Sequence, residues 1–346
     1  MATVGLATTN PTLLDLAKLT VDGKIIPVIQ SLQQRNGFLQ SMVWKEGNTD
    51  TGHMVASQNA LPAVSWVRMN EGVLATKGTT DTYTETTGML EGLSSVDRKL
   101  ARLNGNAAAF RAQADDSFLA SMANTLESAF FYESTKINPE RILGLAARLG
   151  STSGKYGNQI VLADPSPGSG TVSTSIYLIG WGDRSVYGIT PRGMPTGLEM
   201  EDMGLQRDKD LVTGKIRWML ETSFAWKVGL CVEDYRNVVR IANINTSQLL
   251  ITGPAPASGS DLVAAMVKAW YQIFDPRSTR LAWYCNRTVG AYLHMQALRG
   301  TNSSSLSVLP APMTGSQGYA GAPITQCMGA PIYITDALLD NEAVVS

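Results

Sequence analysis

The chain has 346 residues, 44% of them apolar and 16% charged, with a formal net charge of −1 at pH 7. This length is enough for two or three domains with a large buried core. Soluble domains average about 25% charged residues, so the low charged fraction indicates that part of the surface meets other protein. The near-neutral balance argues against strong binding of nucleic acid by phosphate neutralisation. An assembling protein is therefore favoured over a nucleic-acid binder.

Cysteine content argues against a disulfide-rich or zinc-binding protein, and hydropathy argues against a membrane-spanning or secreted one. Cys231, Cys285 and Cys327 lie far apart and form no CxxC pair, so neither a disulfide framework nor a zinc site is predicted. No run of 18 apolar residues occurs, and no basic head precedes an apolar core near residue 1. We expect a soluble protein made in the cytoplasm, with reduced thiols and no membrane contact.

The N-terminal segment is predicted to form two short helices, at residues 12–18 and 25–32. A cap residue followed by proline opens the first helix, and Asn36-Gly37 is typical of the end of the second. Two helices this short have too little around them to form a domain. We expect an arm that docks onto another element.

Residues 47–100 are rich in Gly, Thr, Asn and Glu and show no helical stripe. Two strands are predicted there, at residues 63–69 and 80–87. The second strand is almost wholly polar, so a ribbon made of the two cannot bury a core of its own. We expect the ribbon to project and to be stabilised against a neighbour.

The strongest helix prediction covers residues 107–134, which would measure about 42 Å. A stripe at i, i+4 spacing supports this helix. The stripe consists of Phe118, Leu119, Met122, Leu126 and Phe130. A further short helix is predicted at residues 142–149.

The longest strand prediction covers residues 216–232, where every even-numbered residue except Thr222 is apolar. This period-2 alternation predicts one buried face and one face in water. Seventeen residues would span about 56 Å, against a usual strand of five or six residues. A strand this long suits an extended building block better than a compact enzyme domain.

Shorter elements follow the same patterns. A β-hairpin is predicted from residues 174–179 and 184–189 around the turn at residues 180–183. Residues 253–260 are rich in Gly, Pro and Ser and are a candidate domain boundary. The remaining predictions are a strand at residues 238–241, a helix capped by Ser260, a strand at residues 281–284, a helix capped by Asn286 and a strand at residues 331–335. We expect the last hundred residues to form a second, α/β domain.

Residues with catalytic or metal-binding potential are few. The only histidines are His53 and His294, and neither has a second His or Cys at metal-ligand spacing. The segment from Gly150 to Lys155 resembles a phosphate-binding loop but is one residue short, and Thr152 occupies the nucleophile position of a GxSxG elbow. A structural or merely solvated role is expected for both histidines, and a flexible surface loop for the segment.

Two pairs of adjacent acids, Asp115-Asp116 and Glu201-Asp202, could do acid–base chemistry. Neighbouring residues on a helix point in different directions, so they cannot share one proton or metal ion unaided. Ion pairs or solvated surface positions are the expected roles. The sequence therefore predicts no catalytic, cofactor-binding or metal-binding residue and no cofactor.

Several segments resemble one protein family. The matching segments are NALP at residues 59–62, WVRMNEG at residues 66–72, SIYLIGWG at residues 175–182, DYRNVVRIAN at residues 234–243 and YCNRT at residues 284–288. With a helical arm, a polar ribbon, a long helix and a very long strand in this order, the chain resembles the major capsid protein of tailed double-stranded-DNA bacteriophages, in a podophage-type branch.

The resemblance implies an α+β, Hong Kong 97-like capsid fold. Its parts would be an N-terminal arm at residues 1–45, an E-loop at residues 46–100, a peripheral domain with the spine helix and long strands at residues 101–242, and an axial domain at residues 243–346. The usual family order places the axial helices before the long strand pair. Here the candidate axial helices follow it, so a rearranged connection is expected.

The function implied by the resemblance is structural. The subunit would self-assemble, as hexamers and pentamers, into the icosahedral shell of a virion that encloses double-stranded DNA without sequence-specific binding. Portal, scaffolding and decoration proteins are the further partners it implies, with synthesis and assembly in the bacterial host cytoplasm. Some relatives join subunits through a lysine–asparagine isopeptide bond from the E-loop, where Lys77 would be the candidate.

Two alternatives remain open from the sequence. The first is an encapsulin-like nanocompartment shell, which would hold cargo protein instead of a genome. The second is a soluble α/β enzyme with the last hundred residues as its catalytic unit. The scarcity of histidine and the lack of an intact catalytic motif count against the enzyme.

Overall fold

The structure is a computed structural model that describes residues 20–21, 24–25, 36–102, 107–154, 156–164, 173–194, 197–209, 214–249, 261–277, 279–299, 306–307 and 326–346. Both α-helices and β-strands are present, as predicted for an α+β protein. The α-helices are α1 (Gly37–Ser41), α2 (Arg98–Arg102), α3 (Ala107–Tyr132), α4 (Leu145–Arg148), α5 (Leu262–Gln272) and α6 (Arg287–Arg299). Short 3-10 helices occupy Gly157–Gln159, Tyr235–Asn237 and Thr246–Gln248.

Strands form most of the remaining regular structure. They are β1 (Thr20–Val21), β2 (Lys24–Ile25), β3 (Trp44–Glu46), β4 (Gly52–Ala60), β5 (Thr79–Thr86), β6 (Gly88–Asp97), β7 (Ile160–Leu162), β8 (Ser173–Trp181), β9 (Val186–Thr190), β10 (Leu198–Lys209), β11 (Ile216–Val232), β12 (Val238–Asn245), β13 (Arg280–Cys285), β14 (Leu306–Ser307), β15 (Gln326–Cys327) and β16 (Ala330–Ile334). The predictions missed β4, β6, β7 and β10, as well as the strands of two or three residues β1, β2, β3, β14 and β15.

The chain divides into two compact units. The first contains β1 and β2 together with Met89–Leu126 and Gly197–Lys227. The second contains Arg35–Gly88, Glu127–Thr196 and Val228–Ser346. Helix α3 and strand β11 each contribute residues to both units.

In the first unit, β10 and β11 form a long antiparallel pair that runs from Leu198 opposite Trp226 to Lys209 opposite Ile216. The register shifts between Asp202 and Gly204, which marks a β-bulge. Helix α3 packs on this pair through the stacked rings of Phe118 and Phe224, whose centroids are 6.1 Å apart. A small apolar cluster completes the core, with Val96, Leu100, Ala101 and Phe110 buried and Leu220 packed against them.

The bounds predicted for β11 are confirmed, but its predicted burial pattern is wrong over much of its length. Ile216 and Trp218 are 52% and 49% exposed, whereas Met219 and Thr222 are buried. Burial depends on which neighbours cover each position, and alternation along one strand does not contain that information. All five residues of β11 in the second unit, 228–232, are buried, and β9 pairs with residues 229–232.

In the second unit, β8 lies between β12 and β13 and is antiparallel to both. Strand β13 pairs in parallel with β16, and β12 pairs in parallel with β7. Helices α5 and α6 contribute to the main apolar core beside these strands. That core includes Ile176, Leu178, Val239, Ile241, Leu262, Met266, Ala269, Trp283, Val289 and Leu293.

The predicted hairpin at residues 174–189 is wrong. Strands β8 and β9 meet at a single parallel bridge, Trp181 to Val186. Strand β9 instead pairs with β3 and β11, which are distant in sequence. The predicted turn at residues 180–183 does interrupt the strand. The strands that pair with β9, however, come from segments distant in sequence.

Helix boundaries follow the predictions to different degrees. Helix α3 confirms the long helix, and Asn286 caps α6 by accepting a hydrogen bond from the backbone N–H of Val289 at 2.8 Å. Helix α5 is capped by Asp261 instead of Ser260, which is outside the described residues. Asn36 is the N-cap residue of α1, and the residues before it, where the predicted helix would end, lie outside the described residues.

Most of the predicted N-terminal arm lies outside the described residues. The helix predicted at residues 12–18 is entirely outside them. Of the helix predicted at residues 25–32, only Ile25 is described, and it belongs to β2, which pairs with β1.

A buried carboxyl group joins three segments of the second unit. Glu127 on α3 is fully buried and accepts hydrogen bonds from the backbone N–H of Phe38 at 3.1 Å and from Thr335 Oγ1 at 2.5 Å. No hydrogen-bond partner within the described residues reaches its second oxygen. Burial raises the pKa of Glu127 to about 7, although the hydrogen bonds from Thr335 and Phe38 oppose the rise.

Candidate functional site

The most distinctive surface feature is an antiparallel ribbon of β4 and β5. Its register runs from Gly52 opposite Thr86 to Gln58 opposite Thr80. The predicted second strand is confirmed by β5. The predicted first strand at residues 63–69 is wrong, because these residues form no strand and β4 precedes them.

The tip of the ribbon, residues 61–78, is apolar and exposed. Val64, Trp66 and Met69 have relative exposures of 94%, 104% and 97%. Leu61, Val73 and Leu74 are also exposed. The apolar pattern that predicted a strand here therefore belongs to a surface that no described part of the same chain covers. Contiguous exposed apolar groups usually mark a site of protein contact.

The root of the ribbon is fixed by a buried ion pair. Both carboxylate oxygens of Glu85 on β5 accept from Arg148, at 2.5 and 2.6 Å. The three remaining N–H groups of the Arg148 guanidinium donate to the hydroxyl of Tyr235 and to the carbonyl oxygens of Leu230 and Leu143, at 2.8, 3.1 and 3.1 Å. Burial by itself would lower the pKa of Arg148, but the hydrogen bond and charge of Glu85 outweigh it and raise the pKa.

A tyrosine provides a second attachment. The hydroxyl of Tyr83 on β5 donates to the carbonyl oxygen of Val232 at 2.9 Å, with that of Glu233 at 3.2 Å. Val55 and Tyr83 pack against Tyr187, Ile189 and Cys231 of the sheet. Burial raises the pKa of Tyr83, so the hydroxyl stays protonated. The ribbon is therefore held firmly at its root while its tip is exposed.

Sequence reasoning missed this attachment. The available signal was one arginine inside an otherwise apolar stretch, since Arg148 lies between buried Leu145 and Leu149. An arginine at such a position requires a buried acceptor, because an unpaired buried charge is very costly. The sequence could not identify Glu85 as that acceptor, 63 residues away.

The two histidines lie on different elements, His53 on β4 and His294 on α6. His53 on β4 meets the ring of Tyr187 edge-on, with centroids 5.7 Å apart. Burial, with a contribution from Lys45, lowers the pKa of His53. His294 is half-buried on α6. Among the described residues, no group of three His, Cys, Asp or Glu side chains could hold a metal ion.

The paired acids also separate. Asp115 is buried and accepts from Thr222 Oγ1 at 3.4 Å, whereas Asp116 is exposed. Asp202 is bound by both terminal nitrogens of Arg111, at 3.1 and 2.6 Å. Glu201 is exposed. The structure thus brings Asp115 and Asp202 to one hydrogen-bonded cluster in the first unit and leaves their neighbours in water.

The segment that resembled a phosphate loop is a turn joined to the last residue of the chain. The backbone N–H of Thr152 donates to the carbonyl oxygen of Ser346 at 3.1 Å, and Ser151 Oγ donates to the same oxygen at 3.2 Å. Lys155 lies outside the described residues. The Thr152 amide is directed at protein and not at a phosphate site, in agreement with the expected lack of a phosphate-binding role.

A cleft of about 650 Å³ lies beside β4. Residues 56–60 of β4 line it, together with the stacked rings of Tyr156 and Tyr235, whose centroids are 3.5 Å apart. The charged residues of its lining are Arg184, Glu233, Asp234 and Arg236.

Among the described residues, no helix is long and apolar enough to cross a membrane.

Comparison with known proteins places these features in one family. The family model described as "Major capsid protein GP7" matches residues 20–346. The structure of bacteriophage Epsilon15 is similar over 99% of this chain and 99% of its own, with a TM-score of 0.73 and 27% sequence identity. No curated protein sequence matches the chain.

Two more distant structures are similar at a lower level. The capsid of bacteriophage JBD30 has a TM-score of 0.45 and 9% identity, over 96% of each chain. The SrpI encapsulin of Synechococcus elongatus has a TM-score of 0.41 and 11% identity, over 67% of this chain and 95% of its own.

Proposed function

This chain belongs to the family of the major capsid protein GP7 and is a structural subunit of the icosahedral capsid of a tailed bacteriophage, and we propose that the ribbon of β4 and β5 carries its main contacts with neighbouring copies. The observation that supports this proposal is the exposed apolar tip at residues 61–78. A shell subunit needs elements that reach its neighbours, and a ribbon rooted in the sheet provides one.

The energy available from the tip is sufficient for this role. Burying one large apolar side chain contributes about 1.5–3 kcal/mol. The tip exposes Leu61, Val64, Trp66, Met69 and Leu74. Association costs on the order of 4–15 kcal/mol in lost freedom, so one tip gives a modest contact. A closed shell repeats that contact around every subunit and so needs no single strong one.

We propose for this chain the domain division that the family resemblance implies. Residues 1–45 form the N-terminal arm, residues 46–100 the E-loop, residues 101–242 the peripheral domain and residues 243–346 the axial domain. The ribbon and its tip account for most of the E-loop. Strand β13 of the axial segment pairs with β8 of the peripheral segment, so these two domains share a sheet.

The partners and location of the subunit extend the proposal. Copies assemble as hexamers and pentamers, and the shell encloses double-stranded DNA without reading its sequence. The net charge of −1 supports a wall that does not adhere strongly to DNA. Portal, scaffolding and decoration proteins join the shell, and synthesis and assembly take place in the bacterial cytoplasm. The subunit acts as a structural protein without enzymatic activity.

Covalent linkage of subunits through Lys77 stays a prediction. The side chain of Lys77 is exposed on the tip, which supports access to a neighbouring subunit. Denaturing gels of assembled shells decide it: bands above the monomer that Lys77→Arg abolishes support the bond, and monomers alone exclude it.

The proposed role of the ribbon is tested by making its tip polar. Val64→Ser, Trp66→Ser and Met69→Ser together should leave the urea unfolding midpoint of the subunit unchanged, because these side chains are exposed. The same variant should not form shells in negative-stain electron microscopy and light scattering, whereas Trp66→Phe should. Normal shells from the triple variant would contradict the proposal.

A further inference from the structure

Strand β4 has a second edge that faces away from β5. In an antiparallel pair, alternate residues direct their N–H and C=O groups at the partner strand, and those between them direct theirs outward. The N–H of Thr87 donates to the carbonyl oxygen of Thr51 at 3.0 Å, which fixes the phase of this alternation. With the observed register, the outward residues of β4 are Gly52, Met54, Ala56 and Gln58.

The first half of this edge is covered by the preceding residues. Thr49 forms a bridge with Gly52, with N–O distances of 3.3 and 3.5 Å. The side-chain amide of Asn48 donates to the carbonyl oxygen of Met54 at 2.8 Å and accepts from its N–H at 2.7 Å. The Asn48 carboxamide therefore replaces a residue of a neighbouring strand.

The second half of the edge is open. The backbone groups of Ala56 and Gln58 form no hydrogen bond with any residue that the structure describes, and both residues are exposed. Both residues also line the cleft beside β4. An open strand edge next to a cleft is a ready site for the addition of another strand.

We propose that this open edge accepts strand β10 of a second copy of the chain, and the inference rests on the ribbon's role in assembly. Strand β10 is the end strand of the twelve-stranded sheet and pairs only with β11 among the described strands. Its other edge therefore also has no partner among the strands that the structure describes. Two open edges in one repeating subunit can satisfy each other between copies.

Charge and side-chain pattern favour β10 as the occupant. Glu199 and Glu201 project from one face of β10, and Leu198 and Met200 project from the other. The cleft lining holds two carboxylates as well as two cations. Glu233 accepts from Tyr187 and Asp234 pairs with Arg236, whereas Arg184 is an exposed cation outside both of these pairs. The flat stack of Tyr156 and Tyr235 belongs to the same lining. An added β10 strand would bring a carboxylate toward Arg184 and apolar side chains toward the tyrosine stack.

Disulfide trapping between two kinds of subunit tests the pairing. Subunits with Gln58→Cys are mixed with size-tagged subunits that carry one cysteine at a position from 199 to 203, and the shells are oxidised. The three native cysteines are buried, which limits background. A dimer of one tagged and one untagged subunit, formed at one or two of these five positions, is the expected result.

Three outcomes separate the possibilities. Dimers in shells made only of Gln58→Cys subunits would mean that β4 pairs with β4 of another copy and would overturn the inference. Intact shells with no dimer at any position would also overturn it while leaving the proposed function intact. Failure of the unmodified subunit to form shells with its phage partners would count against the proposed function itself.

A backbone substitution provides an independent test. Gln58→Pro removes only an N–H group that faces away from β5, so the ribbon keeps its internal hydrogen bonds. Gln58→Ala is the matched control that retains the N–H. We expect Gln58→Pro shells to dissociate at a lower guanidinium concentration than Gln58→Ala shells. Equal dissociation midpoints, with the subunit folded in both, would overturn the inference.

A charge exchange covers the case in which Gln58→Pro does not fold. Arg184→Glu should weaken the shells, and adding Glu201→Arg in the same chain should restore them. Weakening by Arg184→Glu without any restoration would argue against β10 as the strand that occupies the cleft.

Discussion

Both oxygens of Glu85 are bound by one guanidinium, that of Arg148, inside the second unit. All five N–H groups of this guanidinium have acceptors, and both side chains are almost completely buried. The pair connects the ribbon to the segment that follows α3. Its position makes it the point at which the projecting ribbon is joined to the folded body of the unit.

Removing the cation of this pair should be strongly destabilising. Arg148→Met leaves the Glu85 carboxylate buried without a counter-charge, which costs about 3–5 kcal/mol of unfolding free energy. Urea denaturation followed by circular dichroism measures the loss. Arg141→Met is the control, because the Arg141–Glu133 pair is partly exposed and should contribute less than about 1 kcal/mol. Equal effects of the two substitutions would show that the buried pair is not an anchor.

The buried carboxyl of Glu127 should make stability depend on pH. Its pKa is raised from 4.5 to about 7, so the folded state holds a proton that the unfolded state releases between these values. The contribution of Glu127 to stability is therefore fully present below about pH 4.5 and falls as pH rises to about 7. The total loss of unfolding free energy over this pH range is on the order of 3 kcal/mol.

Glu127→Gln isolates this effect, because the amide stays neutral at every pH. The stability of the variant relative to the unsubstituted chain should rise by about 3 kcal/mol between pH 5 and pH 8, measured by urea denaturation at both values. A difference that does not change with pH would mean that Glu127 does not titrate in this range.

Two glycines of the ribbon should respond differently to alanine. A Cβ atom at Gly52 would lie 1.9 Å from the carbonyl oxygen of Glu85, which is backbone and cannot move aside easily. Gly52→Ala should therefore cost about 2 kcal/mol or more, as overpacking does. At Gly72 nothing lies within 4 Å, and Gly72→Ala should leave the thermal midpoint unchanged. Similar midpoints for both variants would contradict the close approach of β4 and β5 at Gly52.

The N-cap residue of α6 should contribute more to the free energy of unfolding than the N-cap residue of α5. Asn286 accepts from the N–H of Val289 and also donates to Thr174 and Asp340. Asn286→Ala removes the cap and leaves Thr174 without this donor, for a loss of about 1–3 kcal/mol. Within the described residues, Asp261→Ala removes only the cap bond to Ala264 of α5, and it should cost about 1 kcal/mol. Denaturant midpoints of the two variants check this prediction, and a larger loss for Asp261→Ala than for Asn286→Ala would refute it.

Sequence patterns predicted the bounds of long elements well, but they did not predict which strands pair or which residues are covered. The bounds of β11 were predictable because seventeen residues of alternation leave no competing period. Which residues of β11 are exposed was not predictable from the alternation, since Trp218 is exposed and Met219 is buried. Strand β4 was missed because its sequence, GHMVASQNA, lacks apolar alternation. Its strand conformation comes from pairing with β5.

The candidate site was predictable only in part. The polar composition of residues 47–100 indicated a projecting ribbon, and its existence is confirmed. The apolar residues of the tip, such as Trp66, were assigned to a strand because sequence reasoning treats apolar alternation as a sign of burial within the same chain. In a subunit that assembles, the same pattern can serve a contact with another chain, and the sequence of one copy does not separate the two.

The exposure of Trp66 makes the ribbon tip an optical reporter. An indole in water emits at longer wavelength than one against apolar groups, and Trp181 and Trp283 are already buried in the free subunit. If the tip meets a neighbour, the emission of Trp66 shifts to shorter wavelength while that of the buried pair does not. Subtracting the spectrum of Trp66→Phe isolates the shift, so the closing of shells can be timed in a chain that carries no added dye.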